Sequence, residues 1–428
     1  MQRRVDLFYI KSMDYKETKD FAFSLDAKDE LSKYKQQFHI PLQKNGKEHI
    51  YFCGNSLGLQ PKKTQDFIDQ EIKDWANLGV EGHLHAKNPW LPYHEFLSKS
   101  YANFVGGKIT EVVAMNTLTV ILHLMMVSFY RPTPKRYKIV IEEDAFPSDI
   151  YAVESQIKYH GIDVQGALIK LSPRAGESVV RTEDIIDIFD KEGDNIALVM
   201  LGGVNYYTGH VFDLEKITKS AHSKGIIAGF DLAHAAGNIK LELHQWGVDF
   251  AVWCSYKYLN SGPGSVGGFF VHEKHHNLSL PRFSGWWGHN KEDRFEMPNK
   301  FNPIRSAEGW QLSNPPILSL AAIRASLSIF DEVGMESLIV KSKKLTNYLL
   351  FLLNTIKTDR IEIITPQERG CQISIRVKNG NKELFDKITK EGVIADWREP
   401  DVIRIAPVPL YNSFLDIFSF YEILKRLL

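Results

Sequence analysis

The sequence WCSYKYLNSGPGSVGGFFV, residues 253–271, places one lysine, Lys257, between two tyrosines. The apolar run DFAVWCS comes directly before these tyrosines, and the glycine-rich turn SGPGSVGG comes shortly after them. This pattern predicts a buried strand that ends close to Lys257. In doubly wound α/β sheets, ligands bind outside the carboxyl ends of the strands, so Lys257 is predicted to lie in a ligand-binding crevice.

Short apolar runs alternate with amphipathic segments in the chain that precedes this stretch. The runs KIVIEEDAF from Lys138, IALVMLGGV from Ile196 and IIAGFD from Ile226 are predicted strands, as are DFAVWCS and VGGFFV. The segment DLEKITKSAHSKG from Asp213 is predicted to be a helix that ends at Gly225. Apolar strands separated by helices favour a mostly parallel central sheet with helices on both faces, so the predicted fold class is α/β.

The pattern changes near residue 319. A long helical region is predicted over residues 319–356, followed by strands in IEIIT, CQISIRV and DVIRIA, a helix from Lys382 and a C-terminal helix. This succession predicts a smaller α+β domain. We therefore expect an N-terminal segment, 1–104, that packs on the core, a large α/β domain, 105–318, and a small C-terminal domain, 319–428.

Composition and charge argue against several kinds of partner. The 52 Lys and Arg residues balance the 52 Asp and Glu residues, which argues against a nucleic acid held by bulk electrostatics. No apolar run approaches the ~20 residues that span a bilayer, and the N-terminus lacks the apolar core of a signal peptide. Three scattered cysteines, Cys53, Cys254 and Cys371, are too few for a disulfide framework or a zinc site. We expect a cytoplasmic protein with no metal site and no membrane or nucleic-acid partner.

Polar residues at the predicted strand ends indicate the chemistry of the crevice. Asp231 ends IIAGFD, the sequence FPSD at 146–149 follows KIVIEEDA, and Gly202 follows IALVML. A lysine near aromatic rings can lose its proton through desolvation and bond to an aldehyde. An aspartate on a neighbouring strand can keep a pyridinium nitrogen protonated, and the two together are the protein's share of pyridoxal 5′-phosphate chemistry. The apolar helix predicted after Asn116, which contains Thr119, offers an N-terminus for the phosphate.

Each of these residues also has a structural explanation. Lys257 can be a solvated charge at a strand end, and Asp231 can cap a helix in LAHAAG. Thr119 can be a cap or an ordinary helix residue, and SGPGSVGG can be a tight hairpin. Their common placement in one predicted crevice is what favours a functional site.

The block DLAHAAGN, continued by WGVDFAVWCSYKYLNSGPG, resembles the cofactor-lysine region of kynureninase, a fold-type I pyridoxal-phosphate family. Further blocks resemble that family, in the family's order, between Tyr51 and Phe414: YFCGNSLGLQP, MNTLTVILHLM, FPSDIYAVESQ, VNYYTGHVFDL, GWWGH, SNPPIL, ERGCQ and APVPLYNSF. The resemblance implies a hydrolase that cleaves the Cβ–Cγ bond of L-kynurenine or 3-hydroxy-L-kynurenine, giving anthranilate or 3-hydroxyanthranilate and L-alanine. It also implies a role in tryptophan degradation or NAD synthesis, and a homodimer whose active site lies at the subunit interface.

The resemblance implies roles for individual residues as well. Lys257 holds the cofactor and acts as the base at Cα, and Tyr256 is a proton donor, a phosphate ligand or both. The implied cofactor-binding residues are Leu118, Thr119, Phe146, Asp149, Gly202, Asp231, His234, Tyr256, Lys257, Trp286 and Asn314. In the family, the positions of Trp286 and Asn314 complete the pocket from the neighbouring subunit. The implied substrate-binding residues are Ser56, His83, Asn314 and Arg404.

Two of these positions need a further statement. Arg404 matches the guanidinium that grips the substrate carboxylate, a task that suits the fork of an arginine. Gly202 departs from the family pattern, which has a serine there, so a hydroxyl that can contact the cofactor is missing. The N-terminal segment contributes loops to the substrate pocket through Ser56 and His83.

Three other functions remain open on the sequence. A cysteine desulfurase shares the fold and cofactor but needs a nucleophilic cysteine on a mobile loop, and Cys371 opens a strand pattern typical of a buried, inert position. An aminotransferase would have to return the cofactor as pyridoxamine. A catalytically inert scaffold is opposed by the presence of Lys257, Asp231 and Arg404.

Overall fold

A computed structural model describes residues 14–378, 380 and 382–428. The prediction that the N-terminus lacks a signal-peptide core rests on residues 1–21, of which 1–13 lie outside the described residues. The α-helices are α1 Lys19–Asp26, α2 Thr64–Leu78, α3 Gly82–His85, α4 Ser98–Val105, α5 Leu118–Phe129, α6 Pro147–Tyr159, α7 Val164–Ala167, α8 Thr182–Glu192, α9 Leu214–Ser223, α10 Leu243–Trp246, α11 Ile317–Val333, α12 Met335–Thr355, α13 Glu383–Lys390 and α14 Phe414–Leu427. The strands are β1 Ile50–Tyr51, β2 Val112–Ala114, β3 Lys138–Glu142, β4 Leu168–Leu171, β5 Ile196–Gly202, β6 Ile227–Asp231, β7 Phe250–Trp253, β8 Gly268–Val271, β9 Ile361–Ile363, β10 Ile373–Val377, β11 Val393–Ile394, β12 Asp396–Arg398 and β13 Val402–Ile405. None of the described helices has the length and apolarity that a membrane span requires.

A seven-stranded sheet forms the centre of the molecule, in the order β2-β8-β7-β6-β5-β3-β4. The neighbours from β7 to β4 are parallel, whereas β8 is antiparallel to both β7 and β2. Strand β8 reverses direction because the glycine-rich turn joins it to β7 without a crossover helix. The predicted α/β class and the mostly parallel sheet are confirmed.

The central strands are buried on both faces, which explains why their sequences show apolar runs rather than alternation. Every residue of β7 is buried, and in β5 only Gly202 is partly exposed. One cluster of buried apolar side chains includes α9 and α11, and a second includes α5 and α6. This packing fixes the positions of the strand ends, where the cavity lies.

The C-terminal part is built on a four-stranded antiparallel sheet in the order β12-β13-β10-β9. Helices α12 and α14 pack on it through a shared apolar cluster that includes Leu349, Ile375, Ile405 and Phe420. The single helical region predicted over residues 319–356 is two helices, which separate at Gly334 with φ of 78°. A non-glycine residue rarely adopts this φ, so the chain turns there instead of continuing as a helix.

The N-terminal segment contacts both of these parts. Strand β1 pairs in parallel with β11, and Ala22 of α1 lies in the apolar cluster of the four-stranded sheet. Tyr93 and Tyr101 lie instead in the cluster of the central sheet. The predicted boundaries at 104/105 and 318/319 stay a prediction, because chain segments from the N-terminal portion are shared between the two parts.

Candidate active site

A cavity of about 400 Å³ lies at the carboxyl ends of β3, β5 and β6 and beside the loop that follows β7. This is the edge of the sheet at which the sequence predicts the crevice. The predicted site residues that line it are Ser56, Leu118, Thr119, Phe146, Asp149, Gly202, Asp231, His234, Tyr256 and Lys257.

Lys257 and His234 are in direct contact in this cavity. Lys257 Nζ lies 2.9 Å from His234 Nε2, within hydrogen-bonding distance. Burial lowers the pKa of His234 well below its usual range, and the charges of Lys257, Arg404 and Arg398 lower this pKa further. His234 is therefore neutral, and its buried Nδ1 has no hydrogen-bond partner in the part of the chain that the structure describes.

Asp231 and Asp149 form a buried pair of carboxyl groups. Asp231 Oδ1 accepts a hydrogen bond from the Ala233 amide at 2.7 Å, and the two carboxyl groups are hydrogen-bonded to each other. Burial raises the pKa of both groups, and the neighbouring Asp231 charge raises the pKa of Asp149 further. Asp149 is therefore the protonated member, and Asp231 is the carboxylate that can accept a hydrogen bond from a protonated ring nitrogen.

Helix α5 begins at the cavity wall. Its first residues, Leu118 and Thr119, line the cavity, and the N-cap residue Thr117 makes no side-chain hydrogen bond to the first turn. The first amide groups of a helix lack intrahelical acceptors and carry the positive end of the helix dipole. The start of α5 is therefore suited to an anionic group such as a phosphate.

Aromatic rings form another side of the cavity. Phe146 and Tyr206 meet edge to face with ring centroids 5.2 Å apart, and Phe146 is 39 % exposed. Lys257 Nζ lies 5.8 Å from the centroid of the Phe146 ring. Burial and the nearby Cys254 raise the pKa of Tyr256 well above its usual range, so its hydroxyl keeps its proton and can donate.

Glu142, the last residue of β3, lines the cavity next to Gly202. Its Oε1 accepts from the Gly202 amide at 3.3 Å, and its Oε2 accepts from Asn205 Nδ2 at 2.6 Å. A Cβ atom on Gly202 would lie 3.3 Å from Glu142 Oε1, so the glycine leaves room for this carboxyl group. Burial raises the pKa of Glu142 to about 7. The carboxyl group of Glu142, at the end of β3, therefore supplies a polar group beside position 202, where the family's serine hydroxyl is missing.

Trp286, Asn314 and His83 do not line the cavity. Trp286 is 42 % exposed and packs edge to face on Phe295, and Asn314 is exposed. His83 packs edge to face on Trp90. The structure of one chain does not bring these three residues to the site, and their roles stay predictions.

Arg404 is fully buried in the four-stranded sheet and does not line the cavity. Its Nη1 donates to the carbonyl oxygen of Tyr206 at 2.6 Å, and its Nη2 lies 2.8 Å from Asp396 Oδ2. Every residue of strand β13, which carries Arg404, is buried. The predicted contact between Arg404 and a substrate carboxylate stays a prediction.

Several polar lining residues have no counterpart in the sequence predictions, among them Asn55, Glu142, Asn205 and Arg398. The predicted strand KIVIEEDAF continues past Glu142, whereas β3 ends at Glu142, so the strand-end rule that selected Asp231 missed it. Arg398 gives no such signal, because its strand belongs to the antiparallel sheet and reaches the cavity only through the packing of the two sheets.

Kynureninases from distant organisms resemble the chain over nearly its whole length. It is 54 % identical over 409 residues to a kynureninase of Koribacter versatilis, covering 95 % of this chain and 96 % of the relative. It is 55 % identical over 421 residues to a kynureninase of Flavobacterium psychrophilum, with coverages of 97 % and 99 %. A kynureninase of Nematostella vectensis is 46 % identical over 434 residues, with coverages of 95 % and 93 %. A family model, the kynureninase C-terminal domain, matches residues 338–424.

Solved structures with a similar fold have much lower identity. An apo cysteine desulfurase from Thermococcus onnurineus NA1 superposes with a TM-score of 0.75 at 17 % identity, covering 92 % of this chain and 97 % of that chain. A mutant of C-DES, with glycine covalently linked to the PLP cofactor, gives a TM-score of 0.76 at 15 % identity, with coverages of 91 % and 98 %. These likenesses show the fold, which is that of pyridoxal-phosphate enzymes. The kynureninases of Koribacter versatilis and Flavobacterium psychrophilum, in contrast, are 54–55 % identical to the chain over nearly its whole length. The chain therefore belongs to the kynureninase family.

Proposed function

We propose that this chain hydrolyses the Cβ–Cγ bond of L-kynurenine, 3-hydroxy-L-kynurenine or both, and releases anthranilate or 3-hydroxyanthranilate together with L-alanine. Membership of the kynureninase family is the observation that carries this proposal. The enzyme is a hydrolase acting on carbon–carbon bonds, and its reaction belongs to tryptophan degradation and NAD synthesis.

Pyridoxal 5′-phosphate is the cofactor, and the cavity residues fit it. The buried Nδ1 of His234 lacks a hydrogen-bond partner among the described residues, and α5 begins with amide groups that lack intrahelical acceptors. Lys257 would hold the aldehyde, Asp231 the ring nitrogen and the first residues of α5 the phosphate, while Phe146 would stack on the ring. When bound, the cofactor supplies an aldehyde for amines and an electron-poor ring that takes up the electrons released at Cα.

The side chains of the cavity have distinct tasks in the proposed reaction. The amine of Lys257, when free, can remove the proton from Cα, and the neutral His234 beside it orients that amine. Asp231 holds a proton at the ring nitrogen, and protonated Asp149 stabilises the Asp231 carboxylate. Tyr256 keeps its hydroxyl proton and can donate a hydrogen bond to the phosphate. After water adds to the γ-carbonyl and the Cβ–Cγ bond breaks, Tyr256 can instead transfer this proton to Cβ, which becomes the methyl group of alanine.

The cysteines argue against a desulfurase reaction. None of the three cysteines, all of which lie among the described residues, lines the cavity. Burial raises the pKa of Cys371 to about 12 and that of Cys53 to about 11. Because the thiolate is the nucleophilic form, neither thiol is prepared for attack on a substrate.

The test of the reaction is anthranilate release from L-kynurenine by the protein loaded with pyridoxal phosphate, with 3-hydroxy-L-kynurenine assayed in parallel. We expect release by the wild type and none by Lys257→Ala. The matched control is Lys240→Ala, because the Lys240 side chain is 64 % exposed and pairs with Glu242 at the surface, away from the cavity. Wild-type protein that holds the cofactor but releases neither product would refute the proposed substrates.

For the assembly we propose a cytoplasmic homodimer in which Trp286 and Asn314 of each copy complete the cavity of the other. The exposure of Trp286 and Asn314 away from the cavity supports this, as does the exposed apolar side chain of Leu318 near Asn314. Sedimentation measures the mass, and mixing inactive Trp286→Ala with inactive Lys257→Ala subunits tests the shared site. Mixed dimers regain activity if the two residues serve one site from different subunits, and they stay inactive if both come from the same subunit.

A further inference from the structure

Asn55 is a fully buried polar residue in the wall of the cavity. Its Nδ2 donates to Gln372 Oε1 at 3.0 Å, whereas its Oδ1 has no hydrogen-bond partner among the described residues. A buried amide oxygen without a donor is costly, and buried polar atoms in native proteins are nearly always paired. The place of this oxygen at a cavity wall therefore indicates that a bound molecule supplies the donor.

The hydrogen bonds of Gln372 fix the orientation of the Asn55 amide. Gln372 Nε2 donates to the carbonyl oxygens of Tyr206 at 3.0 Å and Tyr207 at 3.4 Å, and a carbonyl oxygen only accepts. The Oε1 atom of Gln372 therefore faces Asn55 and requires Asn55 Nδ2 as its donor. Because Gln372 does not line the cavity, the Nδ2 end of the Asn55 amide points away from the cavity, and the Oδ1 end is left to face it.

The segment that carries Asn55 is held against the loop that follows β7. The Gly58 amide donates to the carbonyl oxygen of Tyr256 at 2.8 Å. A Cβ atom on Gly58 would lie 2.3 Å from the carbonyl oxygen of Lys257, so this close approach requires glycine. Ser56, the neighbour of Asn55, also lines the cavity. Asn55 therefore lies on the side of the cavity where Tyr256 is placed to protonate Cβ, one bond from the ketone carbon Cγ.

The substrate offers several hydrogen-bond donors, and hydrolysis creates two more. The α-amine is bound at Lys257, the carboxylate has no donor, and the ring amine can donate to the adjacent ketone oxygen. Water that adds to Cγ gives this carbon two hydroxyl groups. When the Cβ–Cγ bond breaks, its electron pair goes to Cβ, one hydroxyl proton is released to water, and Cγ becomes the carboxyl carbon of anthranilate. Until then both hydroxyl groups need acceptors inside the cavity.

We infer that Asn55 is a further catalytic residue, whose Oδ1 accepts a hydrogen bond from a hydroxyl group of the hydrated γ-carbon of the substrate. This inference rests on the proposed function, because it assigns a contact within that reaction. The ketone itself has no O–H group to donate, so the contact forms only after water has added. An interaction made only on the way to the transition state raises kcat without tightening substrate binding.

The test compares two analogues of L-kynurenine that differ by one hydroxyl group: in one the ketone is reduced to a secondary alcohol, and in the other a methylene group replaces it. Neither analogue has a ketone to hydrate, so titration of the bound cofactor's absorbance gives their dissociation constants. We expect Asn55→Ala to weaken binding of one epimer of the alcohol about tenfold, the effect of one lost hydrogen bond. The dissociation constant of the methylene analogue should change less than about twofold, because it makes no such contact.

Steady-state kinetics give a second readout. For L-kynurenine we expect the kcat of Asn55→Ala to fall about tenfold and the KM to stay within about twofold. Cofactor absorbance and melting temperature report whether the variant is folded and loaded, and Asn55→Leu, which fills the same space, is measured in the same way. Ser374→Ala is the matched control, because Ser374 Oγ donates to the carbonyl oxygen of Tyr207 at 2.6 Å in the same network and does not line the cavity.

The outcomes are distinguishable. A wild type that prefers the alcohol to the methylene analogue, with that preference lost in Asn55→Ala and kept in Ser374→Ala, supports the inference. A wild type that binds the two analogues equally overturns it without any variant, and so does a folded, loaded Asn55→Ala that keeps the preference. Equal weakening of both analogues, or a preference lost in Ser374→Ala as well, would give Asn55 a structural role only and also overturn it. Failure of the proposed function gives a different result, since the wild type itself would then release no anthranilate.

Discussion

Asp231 and Asp249 are buried carboxylates at opposite ends of two neighbouring parallel strands, β6 and β7, and their surroundings differ in kind. Asp249 directly precedes β7 and is 2 % exposed. Its carboxylate oxygens lie 2.8 Å from His222 Nε2, 2.8 Å from His275 Nε2 and 2.7 Å from Lys274 Nζ. They also accept a hydrogen bond from the Ala228 amide at 2.8 Å. Burial alone would raise the pKa of Asp249, but these partners lower it far below its usual range.

Asp231 ends β6 and is 7 % exposed, and its hydrogen-bond donors among the described residues are the Ala233 amide and the acid proton of Asp149. Burial raises the pKa of Asp231, and Lys257 only partly offsets that rise. The carboxylate of Asp249 thus receives its hydrogen bonds from the protein itself. The carboxylate of Asp231 has fewer donors, and it lies at the edge of the sheet where a ligand enters. A buried charge whose partners are incomplete marks a binding site, because the ligand supplies the missing donor.

Among the substitutions that test this difference between Asp231 and Asp249, the one at Asp231 should have the largest effect, and that effect is on activity. Asp231→Asn removes the charge that would hold a proton on the cofactor ring, so we expect kcat/KM for L-kynurenine to fall about 10²–10³-fold. Its free energy of unfolding should stay equal or rise, since the substitution removes a poorly paired buried charge. Steady-state kinetics and denaturant unfolding measure the two quantities. An active Asp231→Asn enzyme would mean that the Asp231 charge has no part in the reaction.

Asp249→Asn is the matched substitution at the other end of the strands. It leaves His222, His275 and Lys274 without their shared charge, and we expect the free energy of unfolding to fall by roughly 3 kcal/mol at pH 7. Because the folded pKa of Asp249 is depressed, its contribution is present above the unfolded pKa near ~4 and is lost as the pH falls. The gap between wild type and Asp249→Asn should therefore narrow in acid. The same gap at low and neutral pH, measured by denaturant unfolding, would contradict this account.

Glu142 is a third buried carboxyl group, and its hydrogen-bond donors are the Gly202 amide and Asn205 Nδ2. Its pKa of about 7 lies above its ordinary value of 4.5, so the unfolded chain releases this proton first and stability falls as the pH rises from about 4.5 to 7. Glu142→Gln should remove roughly 3 kcal/mol of that decline. The adjacent Glu143 is exposed, so Glu143→Gln is the control and should keep the wild-type slope. A Glu142→Gln protein with the wild-type slope would show that Glu142 does not titrate there.

The same contrast shows how far the sequence leads. Asp231 and Lys257 follow apolar runs long enough to identify as strands, and the ends of parallel strands share one edge of the sheet. That rule locates the cavity without any knowledge of distances. The rule also separates Asp231, which ends its strand, from Asp249, which precedes one. It does not show that Asp249 has partners, because these come from the segment that follows β8 and from α9, at positions unrelated by any period.

The small sheet is where sequence reasoning stops. Arg404 has the strand pattern and the position expected of a functional arginine, yet it is buried against Asp396, eight residues earlier. Arg398 has no pattern of its own and lines the cavity. Which of two nearby arginines faces a cavity depends on the register of β12 on β13 and on the packing of two sheets, and neither is written in local periodicity.

The smallest expected effect concerns Gly202, where two adjacent glycines give a matched pair. A Cβ on Gly202 would lie 3.3 Å from Glu142 Oε1, a contact that a shift of a few tenths of an ångström relieves, whereas a Cβ on Gly203 would lie 2.9 Å from the Cβ of Ala235. We expect Gly202→Ser to change the free energy of unfolding by less than ~1 kcal/mol, and Gly203→Ser to lower it by about 1–3 kcal/mol through overpacking. The new hydroxyl at 202 can donate to Glu142 and lower its pKa, so Gly202→Ser should also flatten the stability decline toward pH 7. Denaturant unfolding of both variants across this pH range checks the pair. If both variants lose the same free energy of unfolding, Gly202 is needed for backbone packing. The space beside Glu142 would then not explain why a glycine stands at position 202.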